Sequence, residues 1–81
     1  MLTELSAGSK VVGVKQVRRA VESGRAQKVF LARDAEERVT APIAALCGER
    51  GVSVETGASM TELGRACGIS VGAAVAATVT E

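Results

Sequence analysis

The chain has 81 residues, 47% of them apolar and 23% charged, with one Phe and no Trp, Tyr or His. That describes one ordinary globular domain, too short for two, with a core of small aliphatic side chains. The net charge is +1; without His there is no Ser–His or Cys–His nucleophile pair, and without a run of eighteen apolar residues there is no membrane span.

Residues 2–7 read as a short first helix; with Glu4 and no long apolar run, residues 1–9 do not read as a signal peptide. Lys10 to Gly13 is a short apolar run that predicts a strand. Gly13 then opens a helix reaching about Ser23, with Val14, Val17 and Val21 in one apolar stripe. Lys15, Arg18, Arg19 and Glu22 fall on another face, and Gly24 stops the helix.

Lys28 to Ala32 reads as a buried central strand. Asp34, with Glu37 three residues later, suggests the cap of a helical turn. Pro42 disfavours an uninterrupted helix, unless it sits in a first turn with Thr40 as N-cap. That helix runs to about Arg50, with Ile43, Leu46 and Cys47 inward, and Gly51 ends it.

Val52 to Thr56 alternates like a half-buried strand. Ser59 and Glu62 form a capping box that starts a helix reaching Cys67, with Met60, Leu63 and Cys67 inward. Gly68 stops it, Ile69-Ser70-Val71-Gly72 forms a loop, and Ala74 to Thr80 is a last strand with Val75, Ala77 and Val79 on one face. Strands alternate with helices throughout, so the expected architecture is a single α/β domain over residues 1–81, an α/β/α sandwich.

Residues 1–33 carry seven basic and two acidic side chains, and residues 34–81 three basic and seven acidic ones. Such a separated basic face either meets phosphates or is merely solvated. Cys47 and Cys67 stand far apart with no His and no CxxC pair, so they read as buried hydrophobes rather than zinc ligands. Nothing demands a disulfide, which fits a reducing cytoplasm. No P-loop or GxGxxG motif is present, and Glu36 and Glu37 point apart on a helix. We therefore expect no enzyme and no cofactor.

Recognition of RNA by bases stacked on sheet aromatics fails, because Phe30 lies in the strand that reads as buried. What remains is a helix start: free N–H groups at Gly13–Gln16 beside Lys15, Arg18 and Arg19, with Gln16 able to reach a base edge. Ile69-Ser70-Val71-Gly72 is the second unusual feature. Its apolar residues either fold back on the core or form an exposed ledge for a partner.

Four segments, GVKQVRRAVESG (13–24), VFLARDA (29–35), LCGERGV (46–52) and SMTELGRACGISVGAA (59–74), resemble in order and spacing the ribosomal-protein L-seven-Ae family of kink-turn RNA-binding proteins. The resemblance covers roughly residues 9–79 and is closest to the small bacterial, ribosomal-protein-like members. It implies a three-layer α/β/α sandwich with a four-stranded mixed sheet. It also implies binding to a kink-turn, a sharply bent RNA helix built on sheared G·A pairs, in the ribosome or on a structured messenger leader. Gly13 would allow close backbone approach, Lys15, Gln16 and Arg19, with Arg18 beside them, would meet the G·A edges and phosphates, and Ile69, Ser70, Val71 and Gly72 would pack against an extruded base.

Archaeal and eukaryotic members begin the helix Gly-x-Asn-Glu, whereas this chain has the Gly-Val-Lys-Gln form common in bacterial members. Gln16 accepts through one uncharged oxygen, and Lys15 adds a cation. A protein-interaction module on the same fold is the alternative. Lys28 and Arg33 are either distal phosphate contacts or solvated charges, and a monomer is expected.

Overall fold

β1 (Lys10–Val12), α1 (Val14–Glu22), β2 (Ala26–Leu31), α2 (Glu37–Arg50), β3 (Ser53–Thr56), α3 (Met60–Ala66) and β4 (Val75–Val79) alternate along the chain. The computed structural model describes residues 4–5 and 8–80. Glu4 and Leu5 are helical, as expected, and the rest of the anticipated first helix lies outside the described residues.

The strands form one sheet in the order β1-β4-β2-β3. β4 runs antiparallel to both β1 and β2, while β3 runs parallel to β2. Side chains alternate across the sheet, and each set of apolar residues meets its own helical layer. Val29, Leu31, Val75 and Ala77 pack against Val17 and Val21 of α1 and Ile43 and Cys47 of α2. Phe30, Ala32, Ala73 and Ala76 pack on the opposite side against Leu5, Leu63 and Cys67. The architecture is thus the three-layer α/β/α sandwich with a four-stranded mixed sheet.

β4 has Val75 and Ala77 on one face, as expected, and Ala76 packs on the other, so all five of its residues are buried in a central strand covered from both sides. Three local expectations give way to tertiary context. β3 is less buried than its alternation suggested, with Val54 39% exposed. Its only partner strand is β2, so it forms an edge of the sheet.

The helix around Pro42 also differs from expectation. Thr40 is not its N-cap; α2 begins four residues earlier, with Glu36 as N-cap, and keeps Pro42 inside. Proline there costs the one bond that an N–H at position 42 would donate to the Arg38 carbonyl. The burial of Ile43 and Cys47 holds the helix together across that gap. Asp34 serves a different helix from the one expected, since its Oδ1 accepts from the Met60 N–H at 2.8 Å, at the head of α3. The Ser59–Glu62 capping box forms as read, with Ser59 Oγ accepting from the Glu62 N–H and Glu62 Oε1 from the Ser59 N–H.

Candidate nucleic-acid interface

The start of α1 is set by Gly13, which stands at φ 101° and ψ 152°, a region open to glycine and strained for L side chains. Its N–H donates to the Val75 carbonyl at 3.0 Å, and its carbonyl accepts from the Val17 N–H at 2.9 Å. The Gly13 N–H is therefore committed to β4, which corrects the expectation that it is free. Val14, Lys15 and Gln16 occupy the first turn, where backbone N–H groups have no intrahelical acceptor. No side chain caps this end and no acidic residue lies in the first turn. Lys15, Gln16, Arg18 and Arg19 are all exposed, while Val17, Ala20 and Val21 anchor the other side of the helix.

The loop of Ile69 to Gly72 is held by its backbone. The Ile69 N–H donates to the Gly64 carbonyl and the Ala73 N–H to the Met60 carbonyl, each at 3.0 Å. A Cβ at Gly64 would overlap the Val71 carbonyl oxygen, and one at Gly72 would come within 3.1 Å of Met60 Cβ. Two glycines thus let the loop lie flat on α3. Its side chains take the exposed alternative: Val71 is 69% and Ile69 37% exposed. Beside them lies an open hollow of about 340 Å³, lined by Thr61, Arg65 and the four loop residues.

The hydrogen bond from Gly13 to Val75 brings these two segments to the same end of the sheet. Gly72 precedes Val75 by three residues, a span of at most about 10 Å. All nine residues singled out from the sequence belong to these two neighbouring segments. Thr61, Arg65 and Gly64 were missed. The available signal was the four-residue spacing of Thr61 and Arg65, which puts both on one side of α3.

The partners of the cations separate structural charges from free ones. Arg25 donates to the Thr80 carbonyl, Arg33 to the Gly57 carbonyl and Arg50 to the Glu22 carbonyl, and Arg38 pairs with Glu36. Lys28 bridges Glu4 at 3.1 Å and Glu55 at 3.3 Å, and lies 5.8 Å from the centre of the Phe30 ring. Those two carboxylates raise its pKa above the ordinary lysine value. Lys28 is thus tied to two carboxylates, while Arg33 stays exposed with a single bond to a backbone carbonyl. Among the described residues, Lys10, Lys15, Arg18, Arg19 and Arg65 have no such partner. Cys47 and Cys67 are buried, and burial pushes both thiols up.

The family model of the ribosomal protein L7Ae/L30e/S12e/Gadd45 family matches residues 3–81. The chain belongs to this family. It is similar to an RNA-binding protein of Caldanaerobacter subterraneus subsp. tengcongensis, at 44% identity over 96% of this chain and 95% of that protein. RNA-binding protein YbxF of Geobacillus stearothermophilus is 42% identical over 90% of this chain and 89% of its own length. Large ribosomal subunit protein eL8 of Halobacterium salinarum is 37% identical, over 89% of this chain and 61% of that longer protein. Among solved structures, the Giardia lamblia 15.5kD RNA binding protein superposes with a TM-score of 0.92 at 27% identity, covering 99% of this chain and 71% of that one. This L7Ae-family member therefore shares both sequence and fold with proteins named for RNA binding.

Proposed function

We propose that this chain binds RNA, and that the structure it recognises is a kink-turn in ribosomal RNA or a structured messenger leader. The observation that carries this is the 3.0 Å hydrogen bond from Gly13 to Val75, which holds the uncapped start of α1 near the loop at Ile69–Gly72. A sharply bent RNA offers two kinds of surface within a short distance, crowded phosphates and an unstacked base. The α1 end offers N–H groups, the helix dipole and the cations Lys15, Arg18 and Arg19, all suited to phosphates. Gln16 supplies an amide for a base edge. Val71 and Ile69 give an extruded base an apolar surface in a protein whose one aromatic ring, Phe30, is buried.

RNA-binding names among the relatives support the RNA-binding part of this reading. One protomer serves one kink-turn, as a monomer in the cytoplasm. A purely protein-docking role for the same loop would leave the unpaired cations of α1 without a task. The deciding experiment is a gel shift with a kink-turn RNA and with a variant whose sheared G·A pairs are replaced by Watson–Crick pairs. Tight binding to the first and weak binding to the second is expected; equal binding to both would refute kink-turn recognition.

A further inference from the structure

The hollow between α3 and the Ile69–Gly72 loop shares its loop wall with the surface described so far, but its α3 wall, Thr61 and Arg65, has no part in that surface. Its walls are fixed relative to each other. The bare Cα of Gly64 seats the Val71 backbone, and the Ala73 N–H ties the far end of the loop to Met60. Arg65 is the one charged residue in the lining, and Thr61, one turn earlier on the same side of α3, adds a hydroxyl.

Arg65 is exposed and has no hydrogen-bond or ion-pair partner among the described residues. The acid nearest in sequence, Glu62, accepts from the Ser59 N–H through Oε1 at 2.8 Å and attracts Arg65 only through space, without an ion-pair contact. A cation in the last turn of a helix also complements the helix dipole. That role requires neither a hollow nor a neighbouring hydroxyl.

The layers add direction. α1, with Lys15, Arg18 and Arg19, packs on one face of the sheet, and α3, with Arg65, on the other. The loop before β4 rests on α3, and β4 begins beside the start of α1. Free cations thus stand in both helical layers, Arg65 in the hollow that Val71 also lines.

We propose that this hollow is a second phosphate site, in which Arg65 and the Thr61 hydroxyl hold one backbone phosphate of the RNA as its strand passes beyond Val71. This rests on the RNA-binding assignment above and extends it to α3. The guanidinium can grip two phosphate oxygens at once, the Thr61 hydroxyl can donate to one of them, and each bond would be charge-assisted. With the α1 cations on the other side, the protein would bracket the bent backbone instead of touching one strand of it.

The test compares wild type, Arg65→Ala, Arg65→Lys and Thr61→Val on the kink-turn RNA over a series of salt concentrations, with thermal melting of each protein alone. Arg65→Ala is expected to weaken binding about ten-fold and to make the salt dependence shallower by about one in log–log slope. Arg65→Lys keeps the slope, Thr61→Val weakens binding by less, and all melt near wild type. Wild-type affinity and slope in Arg65→Ala would overturn the second phosphate site while leaving RNA binding by α1 and the loop intact. An RNA that binds wild type regardless of its G·A pairs would instead sink the kink-turn assignment, and the Arg65 comparison is then read on that RNA by the same slope.

Discussion

The carbonyl of Val71 lies against the bare Cα of Gly64, in the space that a Cβ would occupy. A helix-interior glycine that is destabilising on local grounds is thus what allows an exposed loop to be rigid. Gly64→Ala should gain up to about 1 kcal/mol in helix propensity and lose about 1–3 kcal/mol to overpacking. The expected net loss of about 1–2 kcal/mol corresponds to a Tm lower by about 4–16 °C. RNA affinity should fall further than stability, because the loop must lift. Unchanged melting together with unchanged amide resonances for residues 69–72 would show that α3 does not set the loop.

Lys15→Ala and Arg19→Ala test the helix arm. Both side chains are exposed and unpaired among the described residues, so the fold should tolerate their loss within about 0.5 kcal/mol. Each should weaken RNA binding about ten-fold and flatten its salt dependence by about one in slope. Wild-type binding by both variants, measured from 50 mM to 200 mM salt, would remove the electrostatic basis of the interface.

Val71→Asp separates a ledge from a core position. At 69% exposure the side chain has little to lose on substitution, and melting should shift only slightly. RNA binding should drop strongly, since a carboxylate would face a base and its phosphates. If the variant unfolds instead, Val71 supports the core and the apolar contact has been misplaced.

These segments were legible in the sequence to different depths. Gly13, the α1 charges and the Ser59–Glu62 box are local signals, decided within a few residues, and they hold in the structure. Asp34 was misplaced because the N–H it satisfies belongs to Met60, 26 residues away, and no local rule reports that distance. Pro42 misleads in another way: its missing bond and ring clash cost about 3 kcal/mol in a helix interior, but the burial of Ile43 and Cys47, which no local rule weighs, keeps the helix continuous. The loop left two alternatives open, because whether Val71 turns outward depends on how closely its backbone approaches α3. That approach depends on Gly64, a residue with no visible role until the helix and loop are packed together.

Gly13→Ala probes the junction between the two segments. With φ at 101°, a side chain at this position costs about 1–3 kcal/mol in backbone strain. A Cβ would meet no atom within 4 Å, so steric clash contributes nothing and the cost is conformational. The backbone is expected to relax by weakening the bond to Val75, which frees the start of α1. Lower stability, faster hydrogen exchange at the Gly13 amide position and weaker RNA binding should therefore appear together. Lower stability with a fully protected amide would show that the junction absorbs the strain elsewhere.

The capping box of α3 gives the chain a defined response to acid. Glu62 is held below the ordinary carboxyl value of 4.5, first by the Ser59 N–H, then by the Ser59 hydroxyl, with Arg33 and Arg65 adding attraction and burial opposing. A carboxyl with a lower pKa folded than unfolded stabilises the fold fully above its unfolded value, and that contribution is lost as pH falls through the folded one. Glu62→Gln keeps an acceptor for the Ser59 N–H, as capping boxes permit, but cannot titrate. Wild type should therefore melt higher than Glu62→Gln near pH 7, and the gap should close as pH falls through 4.5 and below. Other carboxylates titrate in both proteins, so the difference between the two curves isolates this one. A gap that stays constant across that range would mean that the Glu62 charge takes no part in holding the start of α3, the helix on which the 69–72 loop rests.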